Sequence, residues 1–329
     1  MITKGQIKNF KTLKDLSFPC TRMNLFIGDT STGRSNILEA LTLFSRGATK
    51  QNMFDQHLIR YEKPEDLFSL RDLSEPVMVD IGALKADLSY DHGGFTLKIS
   101  ARKGASTKAQ QVSETRMDTR GLLQDTMRFQ FDTQVRRYEY LPDVLFGPNT
   151  MKELEPPYGA NLPGLLAANK VLRGQVSRIL EQSGLRLEVN AADNTIRLNR
   201  STDENVVVTL PYRNMSDTVK RYLFMYAILG TVKGCTLLFD EPEQNMFPFY
   251  TKHLAEMMAM DATNQYFVTT HNAYLFRSVV EKTVSKDLSV FITHNNADGE
   301  TQLKRLQPQE LGTLLDMDVF FNLDRFTKP

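Results

Sequence analysis

Cysteine is scarce in this chain of 329 residues, and a large net charge, a long apolar run and an apolar N-terminal signal are all missing. The two cysteines, Cys20 and Cys235, lie too far apart for a disulfide framework or a metal-binding motif, so two buried small side chains are the preferred interpretation. Apolar runs such as YLFMYAIL fall well short of the ~20 residues that cross a bilayer, and MITKGQIKNFKTLK has no signal-peptide core. A cytoplasmic protein without membrane contact is therefore expected.

The charge balance leaves no overall field that would attract nucleic acid. With 40 Lys and Arg against 39 Asp and Glu, any contact with DNA must come from a local patch. Acidic and polar residues interrupt the two basic stretches of the chain, and no aromatic platform accompanies them, which favours solvated surface over a track for DNA phosphates. The basic side chains in question are Arg102, Lys103 and Lys108, followed by Arg116, Arg120, Arg128, Arg136 and Arg137.

Hydrophobic patterning predicts an α/β protein that begins with strands. The alternating segments MITKGQIKNF and LKDLSF are typical of short strands, and RMNLFIG is a third that leads into a glycine loop and a helix, SNILEALTLF. EPVMVDIGAL, KADLSY and FTLKISA predict a second β layer, with a hairpin turn at DHGG. The polar stretch from Arg102 to Gln124 contains no predicted strand, whereas MRFQF and RRYEYL are strand-like.

The second half of the chain predicts a helix, a few strands and then regular alternation. Residues 163–183 form one amphipathic helix that Gly184 ends, and two or three strands follow through NVVVTLPY. No internal repeat or sustained heptad run is present, and the strand-rich insert is too short for a long coiled coil. The final third alternates helices and strands as parallel α/β sheets do: DTVKRYLFMYAIL, CTLLFD, YTKHLAEMMAM, QYFVTT, AYLFRSVVEK and LSVFIT.

Residues 28–35 have the spacing G-x-x-x-x-G-[K/R]-[S/T] of a phosphate-binding loop, and they stand between a strand and a helix. In such a loop backbone N–H groups wrap phosphate oxygens at a helix N-terminus, and the two glycines permit tight curvature and close approach. The final serine offers its hydroxyl to Mg²⁺. A glycine-containing turn without a ligand is the alternative. The predicted nucleotide-binding residues are Gly28, Asp29, Thr30, Ser31, Thr32, Gly33, Arg34, Ser35 and Asn36, with Ser35 also a metal ligand.

Arginine stands at position 34, where phosphate-binding loops usually carry lysine. The guanidinium is planar and longer, whereas lysine delivers a compact charge between the β- and γ-phosphates. Because the loop amides remain, nucleotide binding is expected to survive better than turnover, which depends on accurate placement of charge around the γ-phosphate. Arg34 is therefore predicted to bind phosphate, to take part in catalysis and to make hydrolysis slow.

Polar side chains follow two apolar strands, at the position where ligands bind in parallel α/β sheets. TLLFDEPE ends in adjacent carboxylates, of which Asp240 is predicted to hold the Mg²⁺ shell and Glu241 to polarise the attacking water as general base; a polar turn is the alternative. YFVTTHN contains His271, which is predicted to contact the γ-phosphate. The other histidines have no such position and are expected to be surface or satisfied residues: His57, His92, His253 and His294.

Taken in order, GDTSTGRS, MSDTVKR, LLFDEPE and VTTHN resemble the motifs of ABC-class P-loop ATPases of the SMC, RecF and OLD group, especially the compact AAA15/AAA21-type ATPases. The resemblance covers nearly the whole chain and is weakest in the middle. It implies an α/β P-loop NTPase fold, the ABC-ATPase head, with a mixed sheet, an antiparallel β layer and a short α+β insert. The implied division is an N-terminal ATPase lobe at 1–100, an insert at 101–210 and a C-terminal ATPase lobe at 211–329.

The same resemblance implies ATP and Mg²⁺ as cofactors and a homodimer that closes around two nucleotides. In the family a segment written L-S-D-G-x-x-R opens a helix and reaches the γ-phosphate bound by the other subunit, which assigns Ser216 a role in trans. Threonine replaces the glycine of that segment at position 218, and its Cβ is expected to crowd the phosphate. The position of the family's Q-loop glutamine is left open, with Gln130 and Gln134 as the candidates.

Two further segments bear on partners. EPEQNMFP resembles the family's stretch that ends in Leu-His-Pro and lies at the dimer interface, with Pro248 retained. OLD-type relatives carry a C-terminal Toprim nuclease. The residues after VTTHN are too few for such a domain, so a nuclease or other effector would be a partner protein.

Two functions remain open. One is an ATP-hydrolysing ABC-type ATPase that dimerises around Mg-ATP in DNA maintenance or anti-phage defence, with DNA as a further ligand. The other is a catalytically weak, nucleotide-dependent scaffold or sensor that recruits a nuclease or toxin; Arg34 and the missing glycine favour it, and Asp240, Glu241 and His271 oppose it. A GTPase is set aside, because no guanine-reading N-K-x-D segment follows the loop.

Overall fold

The computed structural model describes residues 1–45, 54–102, 109–124, 133–148, 152–203, 206–317 and 319–327. Within these ranges the strands are, in chain order, β1 (Lys4–Phe10), β2 (Leu13–Pro19), β3 (Met23–Gly28), β4 (Val77–Asp80), β5 (Leu84–Asp91), β6 (Gly94–Arg102), β7 (Ala109–Asp118), β8 (Val135–Arg137), β9 (Arg186–Asn190), β10 (Thr195–Asp203), β11 (Val206–Pro211), β12 (Thr236–Asp240), β13 (Gln265–Thr269), β14 (Leu288–Asn295) and β15 (Thr301–Arg305). The α-helices are α1 (Arg34–Thr42), α2 (Leu162–Ala168), α3 (Lys170–Glu181), α4 (Asp217–Thr231), α5 (Pro248–Met260), α6 (Ala273–Lys282), α7 (Pro308–Leu315) and α8 (Asp324–Thr327).

A mixed six-stranded sheet forms the centre of the fold, in the order β15-β14-β3-β13-β12-β8. The strands β14, β3, β13, β12 and β8 run parallel, and β15 pairs antiparallel with β14 at one edge. Successive side chains of a strand point to opposite faces, and both faces are buried: Leu25 and Ile27 pack in one core and Phe26 in the other. Burial on both faces explains the continuous apolar runs of these strands.

A second six-stranded sheet, in the order β2-β1-β4-β5-β6-β7, is antiparallel throughout. Side chains of this sheet and of α1, such as Ile7, Leu97 and Ile37, share a core with Phe26 and Phe291 of the central sheet. The rings of Phe26 and Phe291 stack with centroids 5.2 Å apart. The predicted antiparallel β layer is therefore confirmed.

The other helices cover the opposite face of the central sheet. Helix α4 is the most deeply placed, since every residue from Val219 to Leu229 is buried. The three-stranded antiparallel sheet β11-β10-β9 adds Ile196 and Leu198 to the same core. Helices with the length and apolar character needed to cross a membrane are absent from the described part of the chain.

The two predicted ATPase lobes contribute to one sheet. Strand β3 of the first lobe lies between β13 and β14 of the last, and it pairs with both in parallel. The division into 1–100, 101–210 and 211–329 stays a prediction.

Several elements differ from the sequence prediction. Strand β7 lies in the polar stretch for which no strand is predicted. It buries the alternating residues Ser113, Thr115 and Met117, and because two of these are polar, hydrophobic periodicity does not reveal the strand. The helix predicted at 163–183 is two helices, since the Asn169 side chain caps α3 by accepting from the Leu172 N–H over 2.9 Å. No element is predicted for β15, α7 or α8, and MRFQF lies outside the described residues.

Solvated surface is the wrong interpretation for two of the basic residues. Arg136 and Arg137 are 3% and 2% exposed, because they belong to a strand of the doubly covered central sheet. Arg102, Arg116 and Arg120 form ion pairs with nearby carboxylates. Lys103, Lys108 and Arg128 lie outside the described residues.

The cysteines and most of the remaining histidines have ordinary structural positions. Cys20 and Cys235 are both buried. The ring of His253 shares a hydrogen bond with the Tyr222 hydroxyl at 3.0 Å. His294 differs from expectation, because its Nδ1 is buried and has no hydrogen-bond partner among the described residues.

Candidate nucleotide-binding site

The phosphate loop, the acidic strand end and the histidine lie together at the carboxyl edge of the central sheet. This follows from the strand order, since β3, β13 and β12 are neighbours and run parallel. The Ser35 hydroxyl donates to Asp240 over 3.1 Å, and His271 Nδ1 lies 2.8 Å from Glu241 Oε1. The fold thus brings together side chains from three segments that are far apart in the sequence.

The loop between β3 and α1 requires both of its glycines. A Cβ on Gly28 would stand 2.1 Å from the Thr293 hydroxyl, and one on Gly33 would stand 2.0 Å from the Thr301 hydroxyl. Gly33 also has a φ of 86°, in the left-handed region that favours glycine. No side chain caps the first N–H groups of α1, and its first turn has no acidic residue, so these donors are open to an anion.

The side chains of the loop divide into an exposed tip and a buried anchor. The anchor is Thr32, whose hydroxyl donates to the Asp29 carbonyl over 2.8 Å and lies 2.6 Å from the Thr293 hydroxyl. These bonds fix the loop on β14, and at the tip the Thr30 N–H donates to the Asp29 carboxylate over 2.7 Å. The exposed tip consists of Asp29, Thr30 and Ser31.

Arg34 is turned toward the ends of β12 and β13. Its Nη1 donates to the Thr270 carbonyl over 3.0 Å, and its Nη2 lies 3.9 Å from Glu241 Oε1. The side chain is 14% exposed. Arg34 therefore links the phosphate loop to both other loops of the site, and part of its charge is balanced by Glu241.

Asp240 is a partly buried carboxylate surrounded by donors. The hydroxyls of Ser35 and Thr269 both donate to its Oδ1, and Arg137 Nη2 lies 3.6 Å from its Oδ2. Burial alone would raise the pKa of Asp240, but Arg137 and the two hydroxyls outweigh it, so the pKa lies below its usual value. Asp240 is therefore held in its charged form, which is the form that binds a metal.

Glu241 has a strained backbone that directs its side chain into the site. Its φ is 46°, a left-handed value that is uncommon outside glycine and that clusters at functional positions. Its N–H donates to the carbonyl and the hydroxyl of Thr269 over 3.2 and 3.1 Å, which holds this conformation. The carboxylate is 27% exposed and contacts His271, which is 57% exposed, so both groups can reach a ligand.

Glu243 is part of the same arrangement but has no predicted role. It is 3% exposed, its Oε1 accepts from the Thr270 hydroxyl, and its Oε2 is buried without a hydrogen-bond partner among the described residues. Burial raises the pKa of Glu243 to about 7, and the nearby charge of Glu241 adds to the shift while Thr270 and His271 oppose it. The third acidic residue of DEPE is the only sequence signal for this position.

Glu243 is expected to make the free energy of unfolding depend on pH. Its pKa rises from 4.5 to about 7 on folding, so between these values the folded protein holds a proton that the unfolded chain has released. The stabilising contribution is complete below pH 4.5 and is lost as the pH rises through 7, by up to about 3 kcal/mol at ~1.4 kcal/mol per pKa unit. Urea unfolding from pH 5 to 8 measures it. Glu243→Gln mimics the protonated form and should remove this dependence of the free energy of unfolding on pH. If the free energy of unfolding changes with pH equally in wild type and variant, the assignment is contradicted.

Ser216 lies at the N-terminus of α4. Its hydroxyl accepts from the Val219 N–H over 3.4 Å, and its side-chain bonds within the described residues stay in this first turn. Thr218 donates to the Asn245 carbonyl over 2.7 Å, which joins the start of α4 to the turn after β12. The role of Ser216 at the other subunit's nucleotide stays a prediction.

The Q-loop assignment fails for one of its two glutamines. Gln134 precedes β8, and because β8 and β12 are parallel and pair from Val135 and Thr236 onward, it lies at the opposite edge of the sheet from Asp240. Its side chain accepts from the Cys235 thiol over 3.4 Å. Gln134 is therefore wrong as a Q-loop residue, and Gln130 lies outside the described residues.

A cleft of about 750 Å³ opens beside the phosphate loop. Asn36 and Thr12 line it, with the Asn36 amide donating to the Thr12 hydroxyl over 2.8 Å. Lys11 and Arg60 also line it, and both pair with the buried Glu39 carboxylate. This volume falls in the range of small-molecule sites.

Ser35 and Asp240 fit an Mg²⁺ ion that keeps most of its ligands as water and phosphate. A cage made of protein side chains is absent from the described ranges, where no group of three or more His, Cys, Asp or Glu residues could hold a metal. One hydroxyl beside one ionised carboxylate is the donor set that Mg²⁺ uses together with a nucleotide.

Part of the chain matches a known protein family. The family described as "AAA domain, putative AbiEii toxin, Type IV TA system" matches residues 170–277. This segment includes Ser216, Asp240, Glu241 and His271, and it begins after the phosphate loop. The match therefore concerns the acidic and histidine loops of the site.

The chain is also similar to the DNA replication and repair protein RecF of two bacteria. It is 22% identical to RecF of Staphylococcus epidermidis over 114 residues, which are 34% of this chain and 26% of that protein. It is 24% identical to RecF of Bacillus mycoides over 119 residues, 35% of this chain and 27% of that protein. The matched region thus spans about a quarter of the length of these curated relatives.

The fold as a whole is similar to that of an SMC head domain. The crystal structure of the Smc head bound to the C-winged helix domain of ScpA superposes with a TM-score of 0.55, covering 95% of this chain and 99% of that one at 13% identity. At this identity the similarity concerns the fold, and the mixed sheet with its antiparallel layer agrees with it. The fold and the matched segments together support the resemblance to ABC-class P-loop ATPases of the SMC/RecF group.

Proposed function

We propose that the chain binds Mg-ATP at the carboxyl edge of the central sheet and hydrolyses it, and that two copies close around two nucleotides. The observation that carries this proposal is the contact among Arg34, Ser35, Asp240, Glu241 and His271, which come from three separate loops. Polar turns do not require such a set of charged and hydroxyl groups at one sheet edge, whereas a triphosphate with its metal does.

The triphosphate lies along the loop between β3 and α1. Open N–H groups and the positive end of the α1 dipole stabilise its oxygens, and Gly28 and Gly33 leave the backbone accessible. Ser35 and Asp240 hold Mg²⁺, which neutralises phosphate charge when bound. The cleft that Asn36 lines adjoins the loop and receives the nucleoside.

Glu241 is the general base of the proposed hydrolysis. Water attacks the γ-phosphorus, Glu241 takes a proton from that water, and the bond from the γ-phosphorus to the bridging oxygen breaks, which gives ADP and phosphate. His271 holds Oε1 of Glu241 at 2.8 Å, which orients the carboxylate. The exposed face of His271 contacts the γ-phosphate.

The homodimer uses the surface beside the site. Phe247 and Phe249 follow the acidic loop and are 65% and 53% exposed, and apolar side chains of this size are suited to burial against a second copy. Ser216 is contributed in trans. The similarity to RecF supports a role in DNA maintenance, and the family description that names a putative toxin supports anti-phage defence with a nuclease or toxin partner.

One observation favours a catalytically weak scaffold as the second candidate function. Arg34 lies 3.9 Å from the carboxylate of Glu241, so the cation that would contact the phosphates is paired with the proposed base. In that case bound ATP joins two copies of the chain, or joins the chain to an effector, and the ATP is rarely hydrolysed.

Replacing Arg34 with lysine is expected to raise ATP turnover about tenfold, because lysine releases Glu241 and places a compact charge between the β- and γ-phosphates. Phosphate release at saturating Mg-ATP measures this for wild type and Arg34→Lys, with Asp240→Asn as the inactive control. Wild-type turnover that Asp240→Asn abolishes supports the ATPase. If wild type binds ATP but releases no phosphate while Arg34→Lys does, the scaffold is correct; if neither binds ATP, both candidates fail.

A further inference from the structure

Arg137 is a buried arginine that lies next to the candidate site. It ends β8, the strand beside β12, and it is 2% exposed. Its backbone N–H donates to the Ser45 hydroxyl over 2.7 Å, which ties the end of β8 to the turn that follows α1. The side chain is therefore held close to Asp240 by a rigid part of the fold.

Only part of the Arg137 guanidinium is paired. Its Nη2 lies 3.1 Å from Glu139 Oε2 and 3.6 Å from Asp240 Oδ2. Its Nε and Nη1 are buried and have no hydrogen-bond acceptor among the described residues. Buried donors without acceptors keep their full desolvation cost, so native proteins rarely leave them at a purely structural position.

Arg22 shows how this chain satisfies an arginine with a structural role. Its Nη1 and Nη2 donate to the carbonyls of Met258, Ala259 and Asp261 over 3.3, 2.7 and 2.6 Å. Arg137 has no comparable set of carbonyls within the described residues. The difference indicates that the acceptor for Arg137 is a group other than the protein backbone.

The location of the guanidinium identifies the class of that acceptor. Arg137 lies 3.6 Å from Asp240, and Asp240 lies 3.1 Å from the Ser35 hydroxyl, so the guanidinium borders the proposed position of Mg²⁺ and the terminal phosphate. Arg34 is engaged by Thr270 and Glu241. The guanidinium is planar, and its Nε and Nη1 have no acceptor among the described residues. Such a group matches the oxygens of a phosphoryl group.

We propose that Arg137 is a second phosphate-binding cation of this site and donates to an oxygen of the terminal phosphate of a bound triphosphate. The proposal rests on the nucleotide site proposed above. It assigns Arg137 the contact that Arg34, held against Glu241, does not fully supply. ADP lacks the terminal phosphate, so Arg137 distinguishes ATP from ADP.

Affinities for ATP and ADP in the presence of Mg²⁺ test this proposal. Arg137→Met keeps an unbranched apolar side chain and removes the donors, and it is expected to weaken ATP binding about thirtyfold while changing ADP binding less than about threefold. Arg137→Lys keeps the charge but not the planar donor geometry of the guanidinium. Its affinity for ATP should therefore lie between those of wild type and Arg137→Met. Isothermal titration calorimetry measures the dissociation constants of both nucleotides for wild type and for each variant, and circular dichroism checks that each variant is folded.

Arg136→Met is the matched control, because Arg136 is the adjacent and equally buried arginine of the same strand. Its Nη1 donates to the carbonyls of Thr133 and Val135, so its replacement should leave the ratio of ATP to ADP affinity unchanged. If Arg137→Met and Arg137→Lys weaken ATP and ADP equally, or weaken neither, the proposal is overturned. If Arg137→Met does not fold, an unchanged ratio in Arg137→Lys overturns it. Absence of ATP binding by wild type would instead overturn the proposed function.

Discussion

Replacing Glu241 with glutamine is expected to stop ATP turnover and leave ATP binding intact. Glutamine has nearly the same shape and keeps the backbone bonds to Thr269, but it cannot take the proton of the attacking water. General base catalysis contributes about 10²–10⁴ in rate, so kcat should fall at least about a hundredfold. Removing a negative charge beside the phosphates should hold or improve the affinity for ATP. The ATP-bound variant should therefore accumulate as a dimer, which light scattering after size exclusion detects.

Glu243→Gln is the matched control for this experiment. It changes a carboxylate of the same loop, but one that is buried against Thr270 and does not reach a water at the γ-phosphate. Its turnover is expected to stay within about threefold of wild type at pH 6, where Glu243 is largely protonated. Wild-type turnover by Glu241→Gln would show that another group is the base. Equal loss in both variants would show that the loop, and not the base, was damaged.

Replacing Gly33 with alanine is expected to abolish high-affinity ATP binding and to destabilise the fold. The new Cβ would stand 2.0 Å from the Thr301 hydroxyl and 2.8 Å from the Thr12 hydroxyl, at a φ of 86°. These two hydroxyls are 2.7 Å apart and bonded to each other, so the clash would separate β15 from the turn between β1 and β2. Strain and overpacking together predict a loss of about 2–5 kcal/mol in the free energy of unfolding. Displacement of the first α1 N–H groups should weaken ATP binding at least about tenfold.

Gly299→Ala separates backbone strain from the clash. Gly299 has a φ of 77°, and no atom of the described residues lies within 4 Å of the position that a Cβ would take there. Alanine at this position should therefore cost only the strain, about 1–2 kcal/mol. Urea unfolding compares the two variants, and fluorescence titration with a labelled ATP compares their affinities. If Gly33→Ala costs no more than Gly299→Ala and still binds ATP as wild type does, close packing around Gly33 has no functional importance.

Sequence predicts the parts of this protein whose signal is local. The central strands are continuous apolar runs because they are buried on both faces, and side chains at their carboxyl ends share one edge because the strands are parallel. For this reason the sequence alone places Asp240, Glu241 and His271 near the phosphate loop. Strand β15 and helices α7 and α8 carry no such signal.

Other features depend on contacts between distant segments. Arg137 belongs to a basic stretch that resembles solvated surface, and only the pairing of β8 with β12 shows that it is buried beside Asp240. The inward face of strand β7 carries Ser113 and Thr115, which are buried polar residues. Hydrophobic periodicity therefore does not reveal this strand. The raised pKa of Glu243 comes from burial that no pattern in DEPE reveals. In each case tertiary packing, and not the local sequence, determines the environment.

The interleaved order of the central sheet also constrains when the protein can assemble. Strand β3 needs β13 and β14 on its two sides, yet the ribosome makes these strands near the opposite end of the chain. Until they emerge, the nascent chain has an unpaired β3 with two open edges, which are sites for wrong pairing that chaperones must cover. Joining strands so distant in sequence costs conformational entropy before any contact compensates for it. A translation product that stops before β13 therefore lacks the sheet edge that holds the candidate site.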